Sequence, residues 1–348
     1  MKLKKLMAIA MTGMLAVGLL AGCGSSASSS GSAPSAAPAA QGGTGEAAVT
    51  DAAGGDYTID VILKTTSAEY WQYVQAGAYA AGKDLGVKVE VKGATSETAY
   101  DEQQNMIETD LNSGAYDAIL IAPLQGDQAA TLVKDTSIPI FALDTDFESP
   151  KKISFIGTGN ENAAALGGAA AVEAAKAAGW TEIKGIEIQG VQGDATNAAR
   201  YSGYTKGINE AGGEFLEDEQ QFANAVADQA VNCMEAIMQK YPEGIAIICA
   251  HNDDIAMAAA RAAKDNAAYK DTIFLGFNGD RAACEAILAG QETMSVIQDA
   301  YGMGYKGVET AVAHLNGETV ETFVDSGSGV VDINSAQERL DELAGYLK

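Results

Sequence analysis

Basic side chains are scarce in this chain: 22 Lys and Arg stand against 47 Asp and Glu in 348 residues, a net charge of -25. That balance excludes nucleic acid as a partner, because phosphate binding needs clustered Lys and Arg to displace counterions. Histidine is scarcer still. His251 and His314 are the only two and lie far apart, so no histidine-based metal site is expected. The four cysteines, Cys23, Cys233, Cys249 and Cys284, match no zinc or CxxC spacing. Cys249 lies in the apolar run 245–250 and reads as a buried small hydrophobe, while a Cys233–Cys284 bridge is the one pairing left open. No Gly-x-Ser-x-Gly occurs, so a hydrolase nucleophile elbow is absent. Gly157-Thr158-Gly159 starts like a dinucleotide fingerprint, but Asn162 stands at the third glycine. Asp144-Thr145-Asp146 starts like a calcium loop, but Ser149 and Phe155 occupy the glycine and glutamate positions. Asp144 and Asp194 could be assembled on paper into a glycosidase carboxylate pair, and nothing else supports it. The expectation is therefore no enzyme, no cofactor and no metal.

What is present begins with an export signal over residues 1–22. Lys2, Lys4 and Lys5 form a basic start, followed by the apolar run from Leu6 to Leu20. The run ends in Leu20-Ala21-Gly22-Cys23, which resembles the lipobox of bacterial lipoproteins. That resemblance implies cleavage before Cys23, lipidation of its thiol and anchoring to the outer face of the bacterial cell membrane. Without the signal the chain carries 19 basic against 47 acidic residues, a net charge of -28, and so stands off from an anionic bilayer. Residues 23–56 are almost entirely Gly, Ser, Ala, Pro and Gln after the cysteine and read as a tether spanning roughly 30 Å.

From Tyr57 onward short β-rich runs alternate with helical periods, the rhythm of βαβ units and parallel sheets. Strands are expected at 59–63, 87–91, 118–121, 140–143 and 153–157, with helices at 70–85, 100–112 and 127–135 between them. After Thr158 the rhythm restarts, with strands at 185–189, 245–248, 272–276 and 293–297 and helices at 161–178, 197–211, 226–240, 254–264 and 280–288. The fold class is α/β, with two Rossmann-like lobes joined by a hinge. Ligands of open α/β sheets bind beyond the carboxyl ends of the strands. That rule points to residues 64–71, 122–125, 144–146, 192–200 and 252–254, with Asn278 and Gln298. As a group they are polar, planar or aromatic, the chemistry that grips a neutral, hydroxyl-rich ligand.

Ile62-Leu63-Lys64-Thr65-Thr66 with Tyr70-Trp71, Ile121-Ala122-Pro123-Leu124, Ile138-Pro139 with Leu143-Asp144, and Ala198-Ala199-Arg200 stand in sequence order. His251-Asn252-Asp253-Asp254-Ile255-Ala256, Gly276-Phe277-Asn278-Gly279 and Lys306-Gly307-Val308-Glu309-Thr310 follow. Together they resemble the ribose/galactose/allose-type periplasmic sugar-binding proteins, the extracytoplasmic receptors of ABC importers. The resemblance implies the type I binding fold, with one lobe from 57–158 and 299–327 and the other from 159–298 and 328–348. It implies a hinge that closes on a monosaccharide and presents both lobes to a permease, the receptor acting as a monomer. Asp144, Arg200, Asn252 and Gln298 match the residues that bond sugar hydroxyls; Lys64 and Trp71 match the allose-type subset, and Tyr70 its neighbouring aromatic. Three positions depart from the pattern. Asn278 stands where a second carboxylate is usual, Thr145 where ribose-type members have arginine, and Ala225 where the second lobe places an aromatic, with Phe222 the nearest substitute. A ligand larger than ribose fits those departures, and a furanosyl autoinducer, a nucleoside or a signalling role remains open.

Overall fold

The computed structural model describes residues 56–347. The export signal, Cys23 and nearly all of the tether lie outside the described residues. The first half runs β1 (Thr58–Thr65), α1 (Glu69–Leu85), β2 (Lys88–Ala94), α2 (Tyr100–Ser113), β3 (Ala118–Ile121), α3 (Gly126–Val133), β4 (Ile140–Leu143) and β5 (Lys152–Gly157). The second half runs α4 (Asn160–Ala177), β6 (Lys184–Gln189), α5 (Ala195–Glu210), β7 (Glu214–Phe215), β8 (Gln221–Phe222), α6 (Ala227–Lys240), β9 (Ile247–Ala250), α7 (Asp253–Ala263), β10 (Ile273–Asn278), α8 (Arg281–Leu288) and β11 (Met294–Gln298). The chain ends in α9 (Ala300–Leu315), β12 (Phe323–Asp325), β13 (Ser328–Asp332) and α10 (Ala336–Leu343).

Two sheets result. One has the order β12-β5-β4-β3-β1-β2 and the other β13-β11-β10-β9-β6-β7, with β8 also beside β6. The α/β fold class read from the sequence is therefore the fold observed. Every pairing is parallel except β11 with β13. Strands such as β3 and β4 are covered by helices on both faces, which is why they are apolar at every position rather than alternating. The chain passes between the sheets three times: at 158–159, at Asp299 and at 326–327.

The second passage brings α9 back onto α1, and glycines allow the approach. A Cβ on Gly77 would lie 1.9 Å from the Tyr301 carbonyl oxygen, and one on Gly304 would lie 1.9 Å from that of Val74. Side chains there would push the two helices apart and unseat the returning segment. Strand β9 starts two residues later than its apolar run suggests, because the Ile245 carbonyl accepts a hydrogen bond from the Thr272 hydroxyl at 2.7 Å rather than joining the ladder. Cys249 is fully buried. Cys233, Cys249 and Cys284 are all free. Cys233 packs beside the α6–α7 cluster and Cys284 in the separate α8–α10 cluster, so the Cys233–Cys284 bridge is not formed. Among the described residues no helix is long and apolar enough to cross a membrane.

Candidate ligand-binding cleft

Strand order reverses beside β1 in one sheet and beside β6 in the other. The carboxyl ends of the strands at these switch points open a crevice, and the two crevices face one another. Between them lies a narrow cavity of about 30 Å³. Eight of the nine site residues expected from the sequence line it: Lys64, Tyr70, Trp71, Asp144, Arg200, Asn252, Asn278 and Gln298. Thr145 does not. Its hydroxyl lies 2.7 Å from Asp144 Oδ2 and 2.9 Å from Thr196 Oγ1, so it orients the aspartate and touches the opposite lobe.

Asp144 leaves β4 with φ 61°, in the left-handed region, where aspartate is one of few tolerated residues. That turn aims its carboxylate at Tyr70, whose phenol donates at 2.6 Å. Burial and then the Asp144 charge push the phenol well above its ordinary pKa, so it remains a donor. Asn278 is more strained, with φ 130°. Its side-chain oxygen accepts from Gln298 Nε2 at 2.8 Å, and Gln298 in turn accepts from the Thr158 hydroxyl at 2.9 Å. Asn252 caps α7 by accepting from the Ile255 N–H at 3.0 Å. Its oxygen is thus committed, and its amide N–H groups remain for a ligand.

Arg200 is 3% exposed and fixed from three sides. Nε donates to Asn160 Oδ1 at 2.9 Å, Nη1 to the His251 carbonyl at 2.6 Å, and the guanidinium lies 3.6 Å from the Phe277 ring centroid. Trp71 meets Tyr70 edge to face at 5.0 Å and donates its indole N–H to Glu97 at 3.2 Å. Neither Phe222 nor Ala225 lines the cavity. The aromatic wall comes from Tyr70 and Trp71 alone.

The lobes touch through Lys64 Nζ and Asp194 Oδ2 at 2.5 Å, both buried, through Thr145 and Thr196, and through Glu69 and Arg281 at 3.0 Å. Asp194 is thereby committed to an ion pair, which removes the paper pairing with Asp144. Sequence reasoning passed over Glu97, Asp280 and His251 as cavity residues. Burial, then the Arg200 charge, hold His251 well below its ordinary pKa, so it is neutral.

Beneath Arg200, Glu187 on β6 is fully buried with neither carboxyl oxygen hydrogen-bonded. Burial raises its pKa to about 8, against the opposing Arg200 charge. The folded state therefore binds a proton that the unfolded chain releases above about 4.5, and stability falls as pH rises from there to about 8. One such proton is worth about 1.4 kcal/mol per pH unit. Glu187→Gln is expected to raise the melting temperature at pH 8, with the gain vanishing toward pH 4.5. Melting curves across that range that parallel the wild type would refute the assignment.

Two α/β lobes of like topology, crossed three times and meeting over a polar, aromatic-edged cavity, define a two-lobed solute-binding protein. The periplasmic binding protein domain matches residues 59–319, and the chain belongs to that family, as the sequence motifs implied. The ribose import binding protein of Bacillus subtilis (strain 168) is 25% identical over 274 residues, 78% of this chain and 86% of its own. The D-allose-binding periplasmic protein of Escherichia coli (strain K12) is 29% identical over 271 residues, covering 75% and 85%. A carbohydrate transporter solute binding protein from Agrobacterium radiobacter, solved in complex with D-arabinose, superposes with a TM-score of 0.75 at 30% identity over 83% of this chain and 98% of that one. An ABC transporter solute binding protein from Agrobacterium vitis with bound D-fucose gives 0.74 at 28% identity, over 84% and 100%.

Proposed function

We propose that the protein captures a monosaccharide or related polyol between a lobe formed by 57–158 and 299–327 and a lobe formed by 159–298 and 328–348, and delivers it to the permease of an ABC importer. The observation that carries this reading is the lining of the interlobe cavity, where Asp144, Arg200, Asn252, Asn278 and Gln298 stand beside Tyr70 and Trp71. Amides, a carboxylate and a guanidinium serve paired hydroxyls, while aromatic surface covers the apolar C–H side of a sugar. Lys64 serves both a ligand hydroxyl and the interlobe ion pair, and Thr145 positions Asp144. No residue is assigned a catalytic role. Lipidation of Cys23 anchors the protein to the outside of the cell membrane, where the tether gives the lobes reach. Hinge closure of a single copy then forms the surface that the permease meets.

A thermal-shift panel on the soluble chain from Gly24 tests this with pentoses, hexoses, 6-deoxyhexoses, inositols, nucleosides and a furanosyl autoinducer. Ligand at a hundred times its Kd stabilises the native state by about 2.7 kcal/mol, a readable rise in Tm. A response to one monosaccharide or polyol is expected. Silence toward all sugars with a response to a nucleoside or autoinducer overturns the substrate class and leaves the fold.

A further inference from the structure

We propose that Thr158 is a positioning residue through which the hinge sets the grip of Gln298 on a bound sugar. This rests on the sugar reading above and adds to it the group that couples the site to the crossings. The first observation is where the Thr158 hydroxyl leads. The chain crosses between the sheets at 158–159, at Asp299 and at 326–327. That hydroxyl lies 2.9 Å from Oε1 of Gln298, the residue before the second crossing, and 2.9 Å from Ser326 Oγ in the third. A threonine hydroxyl has one hydrogen, and an amide oxygen only accepts. Thr158 therefore donates to Gln298, and Ser326 donates to Thr158. One hydroxyl ties all three crossings together.

The second observation is that the carbonyl of the same residue holds the other side of the site. Asn160 Nδ2 donates to the Thr158 carbonyl at 3.0 Å, while Asn160 Oδ1 accepts from Arg200 Nε at 2.9 Å. On the hydroxyl side, Gln298 Nε2 donates onward to Asn278 Oδ1 at 2.8 Å. Arg200, Asn278 and Gln298 line the cavity, and Thr158 does not. All of these side chains, with Ser326, are more than nine-tenths buried, so the bonds are shielded from solvent. The Gln298 amide carries two hydrogens, one of them given to Asn278. The Thr158 and Asn278 bonds together fix the plane in which the other hydrogen meets a ligand hydroxyl. A rotation of one lobe against the other turns the chain at every crossing. The amide therefore keeps its aim only in the hinge geometry that lets Thr158 bond both Gln298 and Ser326.

Titration calorimetry with D-ribose, D-allose, D-arabinose, D-fucose and myo-inositol selects the tightest binder among them as the probe. Thr158→Val keeps the shape of the side chain and removes the hydroxyl, and is expected to raise the Kd of that probe by about tenfold or more. Thr158→Ser restores the hydroxyl and is expected to stay within about threefold of wild type. In a Gln298→Ala background, adding Thr158→Val is expected to change the Kd by less than about threefold, since the group it acts through is gone. Should Thr158→Val melt early, Ser326→Ala takes its place in the same cycle, with a loss of about fivefold that again requires Gln298. Unchanged affinity on loss of the hydroxyl, a Thr158→Ser variant as weak as Thr158→Val, or an equal loss with and without Gln298 overturns the proposal while the sugar reading stands. Binding of none of the compounds overturns the sugar reading and the proposal with it.

Discussion

Arg200→Ala is expected to weaken sugar binding by one to two orders of magnitude, measured by titration with whichever sugar stabilises the wild type. Each hydrogen bond from a charged donor contributes about 1.5–3 kcal/mol, roughly ten- to hundredfold in affinity. The side chain is held before any ligand arrives, by Asn160 Oδ1, the His251 carbonyl and the Phe277 ring. Little further entropy is therefore lost when its remaining N–H groups engage a hydroxyl pair. Removal also strips the one opposing charge from Glu187 and leaves the buried His251 carbonyl without this donor. Arg200→Lys is expected to fail nearly as badly, because an ammonium lacks both the planar face that covers Phe277 and the fork that reaches two partners at once. Affinities within threefold of wild type in both variants would remove Arg200 from the site.

The same geometry explains what could be read from the sequence. Strands β3 and β4 fall on their expected bounds because each is a fully apolar run closed by turn-forming residues: Asp117 and Pro123 around one, Pro139 and Asp144 around the other. The segment after Gln298 gave no such signal. Helix α9 carries Gly302, Gly304 and Gly307 among its first eight residues, a composition that weakens local helix preference. Its conformation is secured by packing on α1, which a reading of local pattern does not see. Strand β12 spans three residues and is too short to show a period. Its position is set by pairing with β5 from the far end of the first half.

The site divides along similar lines. Lys64, Asp144, Asn252, Asn278 and Gln298 follow or end apolar strands and were found by that rule alone. Glu97 was missed because β2 runs to Ala94, three residues beyond its expected end. Counted from the true end, the strand-end rule would have reached it. Asp280 was missed because an aspartate before Arg281 reads as an ordinary helix start. Only the side-chain geometry shows that it declines to cap.

Asp194→Asn is expected to weaken ligand binding by about a hundredfold while scarcely changing the melting temperature of the ligand-free protein. Asp194 does not line the cavity, so the effect acts through closure rather than contact. Lys64 and Asp194 meet across the lobes with 3% and 5% side-chain exposure. Burial opposes both charges, yet the carboxylates facing Lys64, Asp194 foremost, hold its ammonium above the ordinary range. Lys64 likewise holds Asp194 below its own. The Asp194 contribution is lost only as pH falls through its lowered pKa, and that of Lys64 only as pH rises through its raised one, so the pair stays ionised across the neutral range. Removing one partner of a buried pair costs about 3–5 kcal/mol, chiefly because the other charge is stranded. Opening the lobes rehydrates Lys64, so the cost falls on the closed form alone. The binding-competent fraction drops and the apparent Kd rises in proportion. The asparagine oxygen still accepts from the Asn197 N–H that Asp194 Oδ1 caps at 2.8 Å, so α5 keeps its start. Small-angle scattering of Asp194→Asn at saturating ligand should report closed dimensions, and below saturation a larger open population than wild type. A fall in Tm matching the fall in affinity would make the pair a general support of the fold, and unchanged affinity would show that closure does not depend on it.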